Sequence, residues 1–325
     1  MKRFFKILFS VLAFLIVSGI GGYFYARQKF AAPANQLTVT GLPATSSFVW
    51  LADTLDKRTM PHAAVLVPVK LANCSRTCYL QFDTGAPYTI LYNKSLAALQ
   101  KRYPTTSRNF RLAPDTVRNF SFTIGEGEVL ARKLKVLPIG VAEMPADTTA
   151  PFIIGTLGTD VLDGRALILD YGQRRFSLVA SVPNTLVQQT DFVPMAFTDR
   201  RVLLTVGMQG KSQQLMFDSG TSAFSLLTSR DNWNKLATPG APEHTVNVNS
   251  FGRTLTAHTV TTAAAMQMGK SAVPLQKVTH IEGTSMSQQL MMRFSGMGGM
   301  LGNEPFSTRT IILDTKEARF GVVRS

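Results

Sequence analysis

The 325-residue chain has few cysteines and histidines, and each shortage excludes a class of protein. Two cysteines are too few for the disulfide framework that stabilises small secreted domains. The four histidines, at positions 62, 244, 258 and 280, lack the spacing of a metal site. The sequence has no Gly-x-Ser-x-Gly nucleophile motif, no His-Glu-x-x-His and no phosphate-binding loop. We therefore expect a protein that works without a metal ion or another cofactor.

Acidic residues are also scarce, since 34 lysines and arginines face 20 aspartates and glutamates, for a formal net charge of +14 at pH 7. Part of the excess is local, because no acid precedes Ala31, whereas five basic residues do: Lys2, Arg3, Lys6, Arg27 and Lys29. The remaining positive charge is spread thinly, without a basic block or a recognition-helix motif. It indicates solubility or affinity for anionic surfaces, and nucleic acid is not an expected partner.

The amino terminus carries an uncharged run over residues 7–26, between Lys6 and Arg27. About 20 apolar residues suffice for a helix to cross the hydrocarbon layer of a membrane. The aromatic residues at 23–25 are typical of a membrane interface, so we predict an uncleaved transmembrane anchor over residues 1–29. A signal peptide cleaved near residues 17–19 is the alternative.

The positive charges before the span predict that the short amino terminus stays in the cytoplasm and that the rest of the chain is exported. We expect a single-pass protein of a bacterial inner membrane, with its main part in the periplasm. A eukaryotic secretory lumen is the alternative compartment.

After the anchor, we predict a tether that leads into the first lobe over residues 30–60, and then two similar lobes over 61–190 and 191–325. The lobes are predicted from an internal repeat. Each half has two β-rich runs that lead to an aspartate, and each ends with Leu-Gly followed by Arg-x-x-Ile-Leu-Asp. Alternating apolar residues and β-branched residues favour strands over helices. A repeat of this length predicts two lobes of one fold rather than a solenoid.

The most informative motifs are the triplets that the repeated strands lead into. Residues 83–85 read Asp-Thr-Gly, and residues 218–220 read Asp-Ser-Gly, each between two apolar runs. A duplicated fold can bring two such carboxylates face to face, so that they share one proton for acid/base chemistry.

From about residue 60 to residue 325, the chain resembles the pepsin and retropepsin type of aspartic protease. The resemblance rests on the two triplets, each followed by a hydrophobic strand and a distal Leu-Gly. It implies a mainly β, two-lobed pepsin-like fold, here with an amino-terminal transmembrane helix. It also implies that Asp83 and Asp218 are the catalytic dyad, and it gives supporting roles to Thr84, Gly85, Ser219, Gly220 and Thr221.

The resemblance implies an endopeptidase that acts on polypeptides, with the dyad activating a water molecule. A catalytically silent module that binds peptides or envelope components is the alternative. The first triplet is followed by Ala86, as in retroviral enzymes, and an alanine has no hydroxyl to donate to Asp83. Hydrogen bonds to a carboxylate lower its pKa, so we expect a dyad that works nearer neutral pH than a gastric enzyme.

The sequence predicts two further features, a flap and a disulfide bond. Residues 122–128 resemble the glycine-containing flap hairpin of the family, which would place a flap at Ile124, Gly125 and Gly127, with Ile124 where pepsins carry tyrosine. An ordinary hairpin is the alternative. In an exported chain, Cys74 and Cys78 predict a disulfide bond across a hairpin tip, with two free thiols at a turn as the alternative.

Overall fold

A computed structural model describes residues 33–55, 58–222, 224–250, 253–283 and 297–324. The described elements belong to one compact unit, Asn35–Ser325, and they are mainly β. The strands are β1 Leu37–Thr40, β2 Ala44–Ser47, β3 Val49–Leu55, β4 Arg58–Val69, β5 Cys78–Phe82, β6 Ile90–Tyr92, β7 Arg111–Leu112, β8 Thr116–Ile124, β9 Gly127–Leu137, β10 Ile153–Leu157, β11 Ala166–Asp170, β12 Arg175–Val179, β13 Thr190–Thr198, β14 Arg201–Met208, β15 Lys211–Phe217, β16 Leu226–Leu227, β17 His244–Ser250, β18 Arg253–Thr261, β19 Ala265–Met268, β20 Ser271–Pro274, β21 Lys277–Glu282, β22 Met297–Leu301, β23 Thr310–Asp314 and β24 Arg319–Val323. The helices are α1 Asn93–Arg102, α2 Asn184–Gln188 and α3 Arg230–Leu236, with 3-10 turns at Pro104–Arg108, Thr159–Leu162, Ser219–Thr221 and Glu304–Phe306.

The first sheet has nine strands in the order β3-β4-β5-β10-β6-β9-β8-β7, with β1 paired to β9. At its centre, β10 lies parallel to β5 and antiparallel to β6, with Leu157 opposite Phe82. Alternate residues of β5 are buried, as expected for a strand that packs one face on a core. This arrangement ends β5 directly at the first aspartate triplet.

The second sheet has fifteen strands, and part of it repeats the centre of the first. Here β22 lies parallel to β15 and antiparallel to β16, with Leu301 opposite Phe217. Strand β15 ends directly at the second triplet. The prediction of a mainly β chain is therefore confirmed, and the two halves place their triplets at equivalent points of equivalent strands.

A six-strand section of the second sheet, in the order β13-β24-β23-β11-β12-β2, joins the beginning, the middle and the end of the chain. Aromatic rings pack between this section and the triplet strands, with Phe82 5.3 Å from Phe176 and Phe217 5.5 Å from Phe320 between ring centroids. Such buried rings remove large apolar areas from water. The section therefore fixes both triplet strands against one scaffold.

The predicted tether over residues 30–60 needs a correction, because much of it is sheet. Strand β1 pairs with β9, and β2 pairs with β12 in the second sheet. Leu37 and Val39 are buried in the core, which is the apolar contact that a free tether would lack.

The predicted transmembrane run over residues 7–26 lies outside the described residues. Within the part of the chain that the structure describes, no helix combines the length and the apolar character that crossing a membrane requires.

Candidate active site

The turns that follow β5 and β15 are locked to each other by their hydroxyl side chains. The backbone amide of Thr84 donates to Ser219 Oγ (3.0 Å), and the amide of Ser219 donates to Thr84 Oγ1 (2.8 Å). Each hydroxyl then donates across the same junction, Thr84 to the carbonyl of Phe217 (2.8 Å) and Ser219 to the carbonyl of Phe82 (3.1 Å). Thr84 and Ser219 are fully buried, so water does not compete for these bonds.

This lock brings the carboxyl groups of Asp83 and Asp218 together, each beside the glycine of the opposite triplet. Each carboxyl also accepts from the glycine amide of its own triplet, at 2.8 Å from Gly85 and at 2.8 Å from Gly220. A Cβ atom at Gly85 would lie 2.8 Å from the Asp218 carboxyl group, and one at Gly220 would lie 2.5 Å from Asp83 Oδ1. Any other residue at either glycine would therefore occupy the space of the opposite carboxyl group.

Burial dominates the electrostatics of this pair. Burial raises the pKa of Asp83, and the amide of Gly85 opposes the rise by stabilising the charged form. Burial, followed by the charge of Asp83, raises the pKa of Asp218 to about 7. Two carboxylates in contact cannot both ionise cheaply, so the pair holds one proton and titrates as a unit.

The residues after each glycine act on the main chain of the triplets. The Thr221 hydroxyl donates to the carbonyl oxygen of Asp218 (3.0 Å) and so stabilises the turn. Ala86 has no hydroxyl, but its backbone amide donates to the carbonyl of Asp83 (3.2 Å) and also lowers the pKa of the Asp83 carboxyl.

The two Leu-Gly segments lie directly behind the triplets. A Cβ atom at Gly158 would meet the backbone of Tyr88 at 2.4 Å, and one at Gly302 would meet the carbonyl of Phe224 at 2.1 Å. Only glycine permits this close approach.

An acidic side chain supports each of these junctions, and that of Asp160 is buried. Asp160 Oδ1 accepts from the hydroxyl of Thr89 (2.7 Å), and Glu304 Oε2 accepts from the hydroxyl of Ser225 (2.7 Å). Burial raises the pKa of Asp160. The sequence analysis missed these acids, although both follow the Leu-Gly pair at the same distance.

The structure contradicts the predicted flap. Ile124 is fully buried, and the turn that follows it is packed on the chain between Gly41 and β2. A Cβ atom at Gly125 would lie 2.0 Å from the carbonyl oxygen of Thr45, and one at Gly127 would lie 2.3 Å from Ala44 Cβ. The glycines serve this packing, and a hairpin tip held in this way is not free to open and close over a site.

The predicted disulfide bond is absent, because Cys74 and Cys78 are free thiols in the structure. Both sulfur atoms face the carbonyl oxygen of Arg76, at 3.3 Å and 3.9 Å, and the thiols hydrogen-bond each other instead of forming an S–S bond. The hydrogen bond from Cys78 lowers the pKa of Cys74 to about 7, whereas the same contact and burial raise the pKa of Cys78.

Arg76, between the two cysteines, fixes the loop that precedes β10. Its guanidinium donates to three backbone carbonyls, those of Pro145 (3.0 Å), Asp147 (2.8 Å) and Ala150 (2.9 Å).

Sequence reasoning also missed Tyr92, at the end of β6. Its hydroxyl lies 2.7 Å from Thr156 Oγ1. Burial raises the pKa of Tyr92, the hydrogen bond with Thr156 opposes this rise, and the charge of Asp83 adds to it. The period of two in β6 is the signal that could have placed Tyr92 on the same face as Ile90.

Among the described residues, no group of three or more His, Cys, Asp or Glu side chains is arranged to hold a metal ion.

Comparison with known proteins gives a match in structure but none in sequence. No model of a known protein family matches the chain, and a search of curated protein sequences finds no significant relative. A search of solved structures matches the crystal structure of an aspartic proteinase from Irpex lacteus, with 13% sequence identity and a TM-score of 0.47. The match covers 89% of this chain and 98% of that chain.

Proposed function

We propose that the chain is an aspartic endopeptidase with a two-lobed pepsin-like fold, and that Asp83 and Asp218 hydrolyse peptide bonds in polypeptide substrates. The observation that carries the proposal is the close approach of these two carboxyl groups, which reside in equivalent turns and each lie against the glycine of the opposite triplet. The reciprocal hydrogen bonds between Thr84 and Ser219 support the proposal, because they hold the two carboxyl groups rigidly in place. Rigid placement of acid and base is what proton transfer in a transition state requires.

In the proposed reaction, a water molecule lies between the two carboxyl groups. The ionised carboxylate accepts a proton from this water while the water oxygen forms a bond to the peptide carbonyl carbon. The protonated carboxyl donates its proton to the carbonyl oxygen, which gives a neutral tetrahedral diol. Proton transfer to the nitrogen then breaks the C–N bond, and the products are a carboxylic acid and an amine. The pair again holds one proton, and water is the only co-reactant.

The test is cleavage of a denatured protein by the full-length chain in detergent, with and without a statine-type inhibitor. We expect cleavage that the inhibitor blocks and that Asp83→Asn and Asp218→Asn each abolish. Asp170→Asn is the matched control, because Asp170 ends a repeated strand and accepts a hydrogen bond from the amide of Gln173 (2.9 Å) outside the pair. Full activity is expected for this control.

Cleavage that persists in both active-site variants would refute the mechanism. Binding of the inhibitor by a wild-type chain that cleaves nothing between pH 3 and pH 8 would instead support the silent binding module.

We further propose that residues 7–26 anchor the protein in a bacterial inner membrane, with the two aspartates in the periplasm. The support is the uncharged run and the basic residues before it. The test is the response of the membrane-bound protein to alkaline extraction and to protease added to spheroplasts. Release into the soluble fraction, or protection from the protease, would contradict this placement.

A further inference from the structure

The residues two positions before the aspartates share a strand face with them, because side chains alternate along a strand. In β5, Phe82 is buried in the core, and Gln81 is half-exposed on the opposite face. In β15, Phe217 is buried, and Met216 is half-exposed. Equivalent positions beside the carboxyl pair therefore carry a polar side chain on one side and an apolar side chain on the other.

The neighbouring strands extend this difference. Thr156 of β10 lies opposite Gln81, and Met300 of β22 lies opposite Met216. Both are half-exposed, and each stands two residues before the glycine of its Leu-Gly pair. A second pair of equivalent positions is thus polar in the first half of the chain and apolar in the second.

The third strand of each half completes a small surface. Tyr92 of β6 is half-exposed and brings its hydroxyl to 2.7 Å from Thr156 Oγ1, whereas Leu227 of β16 is half-exposed opposite Met300. Ile90, opposite Thr156, and Leu227, opposite Met300, are equivalent and both apolar, so neither contributes to the difference. We call Gln81, Tyr92 and Thr156, which stand beside Ile90, the polar wall, and Met216, Leu227 and Met300 the apolar wall.

We propose that the two walls select different side chains on the two sides of the cleaved bond. The polar wall binds a hydrogen-bonding side chain such as Ser, Thr, Asn or Gln, and the apolar wall binds a large apolar side chain. The inference rests on the proposed function and gives it a substrate class, namely polypeptide segments in which a neutral polar residue is joined to a large apolar one.

The chemistry of the walls supports this assignment. Consecutive side chains of an extended peptide point in opposite directions, so the two residues of the cleaved bond face different walls. An apolar side chain on the polar wall would leave two donors without partners, namely the Gln81 amide and the hydroxyl of the Tyr92–Thr156 pair that does not donate to the other. Unpartnered polar groups of this kind are the basis of strong discrimination. Methionine is flexible and polarisable, so two methionines and a leucine accept large apolar side chains of several shapes.

The test is a reciprocal exchange between the walls in the full-length chain. One variant carries Gln81→Met and Thr156→Met, and the other carries Met216→Gln and Met300→Thr. The substrates are synthetic peptides that vary only the two residues flanking a central bond. Each exchange should change the preferred residue on one side of the bond at least tenfold in relative kcat/KM, and it should leave the other side unchanged.

Two milder variants keep the test decisive if an exchanged chain folds poorly. Tyr92→Phe and Thr156→Val remove single hydroxyls from half-exposed positions, and each should weaken the preference for polar residues on one side only. Circular dichroism and thermal unfolding of each variant separate a loss of fold from a change of preference.

The outcomes separate this inference from the proposed function. Cleavage with the same preferences in wild type and all four variants would overturn the inference and leave the protease intact. If the wild type cleaves no peptide, its affinity for the same peptides is measured by fluorescence polarisation. The same one-sided preferences in Kd would then support the walls without catalysis, and absence of any binding would overturn both proposals.

Discussion

Replacing Thr84 by valine should weaken the junction between the two triplets, because valine has the shape of threonine without its hydroxyl. The hydroxyl accepts from the amide of Ser219 (2.8 Å) and donates to the carbonyl of Phe217 (2.8 Å) in a fully buried place. A buried amide without a partner costs about 1–3 kcal/mol, and a lost hydrogen bond about 1 kcal/mol. The free energy of unfolding should therefore fall by about 2–4 kcal/mol, a large part of the roughly 5–15 kcal/mol that stabilises a typical protein.

The assay is urea unfolding of the full-length chain, followed by tryptophan fluorescence. The chain has two tryptophans, Trp50 in β3 of the first sheet and Trp233 in α3, so the signal reports on both halves. Thr84→Ser is the matched control, because it keeps the hydroxyl and loses one buried methyl group, worth about 1 kcal/mol.

A double variant tests whether the two hydroxyls act together. Ser219→Ala removes the reciprocal pair of hydrogen bonds, and the double variant should lose less than the sum of the single losses because both hydroxyls hold the same junction. A change below about 0.5 kcal/mol for Thr84→Val, which is the usual range for uninvolved surface positions, would refute the reasoning.

Three further predictions concern the carboxyl pair and the thiols. Folding raises the pKa of Asp218 from 3.8 to about 7, so its proton stabilises the fold at low pH and this contribution is lost as the pH rises from 4 to 7. At about 1.4 kcal/mol per pKa unit, the free energy of unfolding of the wild type should fall by up to about 4 kcal/mol over that range relative to Asp218→Asn. If urea unfolding gives the two proteins free energies that change in parallel with pH, the prediction is wrong. Gly85→Ala should abolish peptide cleavage, because its Cβ would lie 2.8 Å from the Asp218 carboxyl, whereas Gly172→Ala, where the nearest atom is at 3.6 Å, should retain it. Iodoacetamide should modify Cys74 before the buried Cys78, with a half-maximal rate near pH 7, and mass spectrometry that finds equal modification would count against the lowered pKa of Cys74.

Local sequence predicted the strands that lead into the two triplets, and it predicted the two aspartates of the candidate site. The alternation of apolar residues that leads into residues 83 and 218 specifies strands, because one face of each must be buried. The repeated Leu-Gly segments predicted that both halves fold alike, and two like halves can bring their equivalent turns together. The structure brings Asp83 and Asp218 into contact.

Other features depended on contacts between segments that are far apart in sequence. Residues 44–47 were predicted to lie in a tether, yet they form β2 because they pair with β12, more than a hundred residues later. Local propensity carries no information about such a partner. The hairpin turn after Ile124 resembles a flap in sequence, but the carbonyl of Thr45 packs against Gly125 and holds the turn.

The sequence alone therefore determined the strands that lead to residues 83 and 218 and the turns that carry the acids, because these features depend on neighbours along the chain. Tertiary structure decided which strands pair, which hairpin is held down and which side chains surround the carboxyl pair. Those outcomes depend on the surfaces that distant segments present to one another.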